Sequence, residues 1–389
     1  MLLASFALSG FDSIIKTMEL GEAIEQIDSC TECDICLDVC QTYEVTRDKA
    51  FSPIGRLQAA KKVFQADDVT SEMVDGIFGC MSCQRCNLEC PQEIDISRIV
   101  HKARGELLRR GVGPLETINR VIEQMQDLGN MVNGDPAKRW EWLPEEFPER
   151  ESDTLLYMGC LPCYLVPQVA ISSYLLLKRL GMDFMMLKDE GCCGNYLYHM
   201  GRGDIAREKF EENRERFKRL GIKKVITTCP GCQLSLSPDR KAQANGFEVL
   251  HLVQVLPDLL RERHECQNAK LPCILQASYQ DPCELGRAGK GIYEEPREIL
   301  SLCGVELVEM DENKERAACC GGILAVAFKD ICTEVGTRFL EKVKPDNIIT
   351  ACPSCLLRLN YASKKRGKGK MGMYVSEVIL DFLNCSQVN

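Results

Sequence analysis

Cysteine dominates the chemistry open to this sequence. Two runs near the N-terminus share the spacing C-x2-C-x2-C-x3-C: Cys30, Cys33, Cys36 and Cys40, then Cys80, Cys83, Cys86 and Cys90, the last followed by Pro91. Further along, two sets each combine a lone cysteine, an adjacent Cys-Cys-Gly and a Cys-x2-Cys. The first is Cys160, Cys192, Cys193, Cys229 and Cys232; the second is Cys283, Cys319, Cys320, Cys352 and Cys355. Together these account for all but six of the 24 cysteines. Thiolates are the ligands that iron–sulfur clusters take, and the N-terminal spacing is that of bacterial two-cluster [4Fe-4S] modules. In such modules the fourth cysteine of each run ligates the other cluster. The expected sets are therefore Cys30, Cys33, Cys36 and Cys90, and Cys80, Cys83, Cys86 and Cys40. Gln41 stands where a second proline is expected, a change in turn chemistry that removes no ligand. The expectation is an electron carrier with four clusters.

The later sets hold five cysteines each, whereas a cubane [4Fe-4S] cluster takes four thiolates. Neighbours such as Cys192 and Cys193 cannot easily reach separate corners of one cubane. An opened, noncubane cluster with a bridging thiolate accommodates the fifth. Zinc is the rival, since a structural zinc takes four ligands, often from Cys-x2-Cys pairs. A fifth cysteine repeated in both copies is hard to explain as tetrahedral zinc.

Other chemistry-bearing residues are sparse. Of the four histidines, His199 lies six residues after Cys193 and is a candidate proton donor; His101, His251 and His264 are scattered. Cys163, Cys266, Cys273, Cys303, Cys332 and Cys385 read as small buried residues, with Cys163 sharing a loop with Cys160. Gly191, Gly194, Gly321 and Gly322 let the backbone pass close to a cluster. The stretch from Gly286 to Gly291 is glycine-rich but lacks phosphate-loop spacing, and no flavin or nicotinamide fingerprint is found.

Bulk properties set bounds. The chain has 389 residues, 45% hydrophobic and 27% charged, enough for two or three domains. A net charge of -9 argues against a nucleic-acid partner. The basic run Lys364–Lys370 is the exception and reads as a solvated loop. The opening residues lack a basic n-region and a cleavage site, and no apolar stretch approaches the ~20 residues that span a bilayer. The expected location is cytoplasmic, with any membrane attachment through a partner protein. Abundant cysteine in a reducing compartment favours metal ligation over disulfides.

The elements that must position these residues follow from periodicity. Between Cys40 and Cys80 lie helix-period segments at Arg56–Phe64 and Glu72–Phe78, giving an all-α ferredoxin module over residues 1–125. Residues 126–152 read as a linker rich in turn formers, with Trp140 and Trp142 expected to dock on a neighbouring surface. From residue 153 the chain repeats: Cys160 to Cys283 and Cys229 to Cys352 are both 123 residues apart. Strands are expected at Leu155–Met158, Asp183–Leu187, Val225–Thr228 and Glu248–Leu250. Their counterparts are Ile274–Ala277, Val305–Glu309, Ile348–Thr350 and Met373–Val375. Helices, among them Val166–Leu180 and Val326–Val343, alternate with them. The predicted fold class is α/β: an N-terminal all-α module, then two pseudo-symmetric parallel-sheet domains over 153–265 and 266–389. Sites in such sheets sit at the carboxyl ends of strands, where Cys160, Cys229 and Cys352 fall.

The pattern C-x31-C-C-G-x34-C-P-G-C, followed by D-P-C-E-L-G-R, C-C-G and C-P-S-C, resembles the cysteine-rich CCG domains. These occur in heterodisulfide reductase, the glycolate oxidase iron–sulfur subunit, anaerobic glycerol-3-phosphate dehydrogenase and lactate-utilisation proteins. The order ferredoxin–CCG–CCG in one chain resembles the membrane-associated CoB–CoM heterodisulfide reductase of methanogens. There a single subunit looks like a fusion of two that are separate in the soluble enzyme. The segments Ser52–Arg56 and Asp281–Arg287 match the same group. Glu284 is a departure, since many relatives place His after that cysteine. The resemblance implies two cubane clusters in the ferredoxin module and two noncubane [4Fe-4S] clusters in the CCG domains. It implies reduction of the coenzyme M–coenzyme B disulfide to two thiols, with Cys193 and Cys320 catalytic through their clusters. Arg287, Lys290 and Arg202 are the candidates for holding the anionic ends of that substrate. The redox partner would be a membrane cytochrome b or a soluble flavoprotein. The alternative is an iron–sulfur electron-transfer component of a glycolate, lactate or glycerol-3-phosphate dehydrogenase complex.

Overall fold

The computed structural model describes residues 18–113, 116–237, 246–262 and 275–385. His264, Cys266, Cys273 and the apolar opening of the chain lie outside these residues, as does Ile274 at the start of an expected strand.

The N-terminal region is helical because its sequence supplies caps and one apolar stripe per helix. Ser52 accepts from Gly55 N–H at 2.9 Å and caps the helix Pro53–Phe64, whose first residue is a proline. Thr70 and Asp95 cap the helices Ser71–Phe78 and Ile96–Arg109 in the same way. Along the last, Ile96, Ile99, Val100, Ala103 and Leu107 recur at helical spacing and are buried against Leu57, Ala60 and Val63. The cysteines sit in tight loops between these helices. Glu32 and Asp34 in the first run and Ser82 and Gln84 in the second all have positive φ, at identical offsets from Cys30 and Cys80. The two loops therefore curl the same way, which fixes the direction of their thiols.

The remainder of the chain is two parallel sheets covered by helices. The first holds β1 (Thr154–Tyr157), β2 (Lys224–Thr227) and β3 (Glu248–His251) in the order β1-β2-β3. The second holds β4 (Gln276–Gln280), β5 (Glu306–Leu307), β6 (Asn347–Thr350) and β7 (Met371–Tyr374) in the order β5-β4-β6-β7. The repeat aligns β1 with β4, β2 with β6 and β3 with β7. The strand expected at Asp183–Leu187 is only a single parallel bridge, Met185 to Leu155. Beyond it the Lys188 carbonyl accepts from the Trp140 indole at 2.7 Å, so the backbone leaves the ladder. The helix expected over Val326–Val343 begins only at Lys329. The apolar residues before it, Ile323, Val326, Ala327 and Phe328, pack on the N-terminal helices instead of extending the helix.

The parts share cores rather than meeting at wet surfaces. Leu156, Ile226, Ala277, Ile349 and Tyr374 belong to one apolar cluster that runs through both sheets. Tyr374 at the end of β7 donates to the Thr228 carbonyl just past β2 at 2.6 Å, and Ser376 bonds Ser172 and Ser173. These contacts turn the carboxyl ends of the two sheets toward each other. Trp142 docks edge-on against Tyr174, and Trp140 packs on Trp142 and Phe147. Among the described residues no helix is long and apolar enough to cross a membrane.

One buried ion pair holds the loop that carries the first adjacent cysteines. Glu190 accepts from the Met158 and Gly159 N–H groups at 2.8 and 2.9 Å and pairs with Arg139; both side chains are buried. Glu190→Ala would strand the Arg139 charge, at a cost of about 3–5 kcal/mol. Thermal unfolding of the anaerobic protein should show a clearly lowered midpoint; an unchanged midpoint would show that the pair does not brace this loop.

Candidate functional site

In the N-terminal module the thiols gather across the two runs. Cys30, Cys33, Cys36 and Cys90 line one small pocket floored by Leu57, Ile94 and Ile96. Burial, then the neighbouring Cys30, Cys40, Cys90 and Cys33 thiols, push Cys36 up to about 12. Cys86 is pushed well above its ordinary value by burial and by Cys80, Cys83 and Cys40. Cys90 thus joins the first run in one pocket, and Cys40 neighbours a second group with Cys80, Cys83 and Cys86. Arg56 serves the second group. Its guanidinium is buried, lies 3.5 Å from the Cys40 sulfur and bonds Thr42, Gly76 and Gly79. Burial works against its charge, but the Cys80 and Cys40 thiolates outweigh that and raise its pKa. Four residues of the segment Ser52–Arg56 have distinct roles. Ser52 caps, Pro53 starts the helix, Gly55 passes so close to the Lys49 carbonyl that a Cβ would sit 1.9 Å from it, and Arg56 reaches the thiols.

All ten cysteines of the two later sets line one cavity of about 250 Å³. Each lone cysteine and each Cys-x2-Cys lies just past a strand. The Thr227 and Thr350 hydroxyls accept from the Cys229 and Cys352 N–H groups, both at 3.3 Å, so the two halves are built alike. Cys193 and Cys232 sulfurs are 3.3 Å apart, and Cys320 and Cys355 sulfurs 3.1 Å. In both halves the second cysteine of the adjacent pair is the thiol held well below its ordinary pKa. Cys192 and Cys232 do this for Cys193, and Cys319 and Cys355 for Cys320. Gly194 and Gly321 follow those pairs with φ of 81° and 78°, a turn that lets their N–H groups point back at the Cys192 and Cys319 sulfurs. Donor sets made only of thiols, buried and pressed against each other, fit a cationic iron–sulfur core. Without one, such sulfurs repel on ionising.

The other candidates divide. His199 lies on the cavity wall. Its Nε2 is 2.8 Å from Glu284 Oε1 and its Nδ1 3.3 Å from His101 Nε2, which in turn meets the Ser82 hydroxyl at 2.8 Å. Asn195 donates to the same Glu284 oxygen at 2.8 Å. Burial works to raise the Glu284 carboxyl, but the His199 and Asn195 bonds hold it below the usual range. Glu284 therefore orients His199 within a network drawn from all three parts of the chain.

The three cations expected to bind substrate lie off the cavity. Arg287 donates to the carbonyls of Cys83, Glu315 and Ala317. Lys290 donates to the Val249 carbonyl, and Arg202 pairs with Asp204 on a separate groove. Proximity to Cys283 in sequence does not aim the Arg287 side chain at the cavity: its guanidinium is spent on one carbonyl of the N-terminal module and two of its own domain. The one Lys or Arg on the cavity wall among the described residues is Arg358, one helical turn past Cys355. Its place in the Cys-x2-Cys-x2-Arg segment was the available signal. Cys163 is buried but absent from the cavity wall, close to Arg139, Glu190 and Trp142. Cys303 and Cys332 are buried and Cys385 is half-buried. In the basic run, Arg366, Lys368 and Lys370 pair with Glu334, Glu341 and Asp346 at a solvated helix end.

Residues 26–94 match the 4Fe-4S dicluster domain, and residues 154–237 and 277–360 each match the cysteine-rich CCG domain. The chain joins a dicluster iron–sulfur domain to two CCG domains. It is 28% identical to a subunit of the dihydromethanophenazine:CoB–CoM heterodisulfide reductase of Methanosarcina barkeri, over 91% of this chain and 92% of that one. It is 27% identical to a subunit of the fumarate reductase (CoM/CoB) of Methanothermobacter marburgensis, over 89% of this chain and 70% of that one. It is 24% identical to the glycolate oxidase iron–sulfur subunit of Escherichia coli, over 88% and 92%. These relatives are subunits of redox enzymes, and the chain is an iron–sulfur protein of that oxidoreductase group.

The crossing of the two N-terminal runs has a direct test. Cys90→Ala should empty the Cys30, Cys33 and Cys36 site, although Cys90 sits in the other run; Cys40→Ala should empty the Cys80, Cys83 and Cys86 site. Electron paramagnetic resonance of the dithionite-reduced variants checks this. Loss of the opposite signal in each variant would overturn the crossed assignment.

Proposed function

We propose that this chain is the catalytic component of a heterodisulfide reductase-like enzyme, taking electrons through its N-terminal module and cleaving a disulfide in the ten-cysteine cavity. The observation that carries this reading is the convergence of two complete five-cysteine sets on that one cavity. Cleavage consumes two electrons and two protons, breaks one S–S bond and releases two thiols. Noncubane [4Fe-4S] clusters held by Cys160, Cys192, Cys193, Cys229 and Cys232 and by Cys283, Cys319, Cys320, Cys352 and Cys355 would supply electrons and a soft metal contact for each sulfur.

The chain's own residues do the rest. Met125, Met131, Leu161 and Leu165 give part of the cavity wall an apolar surface. His199 and Glu284, hydrogen-bonded to each other on the cavity wall, are the candidates for supplying a proton to a departing thiolate. Arg358 is placed to meet an anionic end of the substrate. By likeness to the heterodisulfide reductase relatives, the substrate is the coenzyme M–coenzyme B disulfide. The donor is a partner protein, either a membrane cytochrome b or a soluble flavoprotein, through which a cytoplasmic chain would meet the membrane.

A second reading is favoured by the likeness to the glycolate oxidase protein: an electron relay for a glycolate, lactate or glycerol-3-phosphate dehydrogenase. One experiment separates the two. With reduced viologen as donor, the protein should cleave the coenzyme M–coenzyme B disulfide anaerobically. Cys193→Ala and Cys320→Ala should each abolish cleavage while the N-terminal signals persist, because both halves must engage one disulfide. Activity surviving in either variant would sink the paired mechanism, and an inactive wild-type protein would leave the relay as the better account.

A further inference from the structure

The first cysteine run ends on Gln41 where the second ends on Pro91. The Gln41 side chain is 5% exposed and bridges the ferredoxin module and the second CCG domain. Its Nε2 donates to the Cys319 carbonyl at 3.0 Å, and its Oε1 accepts from the Cys319 N–H at 2.7 Å. One carboxamide thus satisfies both backbone polar groups of one buried cysteine, which a proline cannot do. Gln41 is peptide-bonded to Cys40, assigned to the group with Cys80, Cys83 and Cys86. Cys319 belongs to the second CCG set. A further contact lies on the same seam: Arg287 donates to the Cys83 carbonyl at 2.9 Å.

We infer that Gln41 is a positioning residue for electron transfer, fixing the Cys40 end of the ferredoxin module against Cys319 so that electrons enter the CCG pair through its second member. Tunnelling falls steeply as the gap between sites widens, and a doubly bonded amide holds that gap where an apolar contact would let it vary. Domain docking alone does not need this bond. The N-terminal helices already share an apolar core with Tyr196, Leu197 and Ile205 of the first CCG domain, Val326 and Phe328 of the second pack on that core, and the buried Arg104 ties the Ile77, Phe78 and Cys80 carbonyls of its own module to the His199 carbonyl across the boundary. Removing the carboxamide leaves the Cys319 N–H and C=O unpaired in a dry seam, which costs enough to make the seam relax. The step is one electron: the ferredoxin site is oxidised, the CCG site reduced, and no bond or proton changes. The inference rests on the iron–sulfur assignment of both ligand sets and holds whether or not the protein cleaves disulfides.

The test uses the full chain, purified anaerobically, with Gln41→Leu and Gln41→Glu. Each protein receives a substoichiometric pulse of reduced viologen and is freeze-quenched for paramagnetic resonance. The wild type should show magnetic splitting between neighbouring half-reduced sites. Gln41→Leu should keep its iron and its ferredoxin signal, lose much of the splitting, and redistribute the electron severalfold more slowly. Gln41→Glu keeps the acceptor but not the donor and should fall between. Wild-type splitting and rate in an iron-replete Gln41→Leu protein would overturn the inference. If that variant loses iron, wild-type behaviour in iron-replete Gln41→Glu would do the same. Iron loss from both would also overturn it, since the residue would then serve assembly.

Discussion

Everything in this molecule answers to one constraint: ten thiols must be held in a single buried cavity without repelling each other apart. Buried sulfurs 3.1 to 3.3 Å apart cannot all ionise unless a positive core sits among them. The backbone must therefore bring them together in advance of, and independently of, any favourable contact between them. Parallel sheets do this well, because every strand ends on the same rim. Doubling the sheet and joining the halves through Tyr374 and Thr228 turns two rims into one cavity.

The same constraint explains where the buried cations lie. Arg56 stands beside Cys40, and Arg104 spends its guanidinium on carbonyls at Ile77, Phe78 and Cys80. Arg139 is committed to Glu190 beneath the first adjacent pair, and Arg297 to Asp281 beside Cys283, at 2.8 and 2.9 Å. These residues fix the loops that carry ligands. Among the described residues they leave the cavity wall itself with Arg358, His199 and Glu284 as its charged or titratable groups besides the cysteines and Tyr196.

Much of this was legible in the sequence, and the reason is that cysteine spacing is a direct record of ligand geometry. The repeat near 123 residues follows from spacing, and the short apolar runs before Cys160, Cys229 and Cys352 mark their places at strand ends. What spacing cannot convey is the direction of a long side chain. Arg287 follows Cys283 by four residues yet spends its donors on the Cys83, Glu315 and Ala317 carbonyls, while Arg358 follows Cys355 by three and meets the cavity. Nor does sequence reveal partners brought from afar: His101, His199 and Glu284 meet although they come from different parts of the chain. The helix shortened at Lys329 is the same lesson in apolar residues, since Val326 and Phe328 obey a neighbour's core rather than their own period. Gln41 and Glu284, the two departures from the usual motif, turn out to make bonds that only those side chains make there.

The central claim is that both five-cysteine sets hold iron–sulfur clusters, and composition tests it most directly. Iron, acid-labile sulfide and zinc should be measured on the anaerobically purified full chain. Four clusters of four require about sixteen iron and about sixteen sulfide per chain, with negligible zinc. A protein with about eight iron and stoichiometric zinc would keep the N-terminal sites and contradict the account of the cavity.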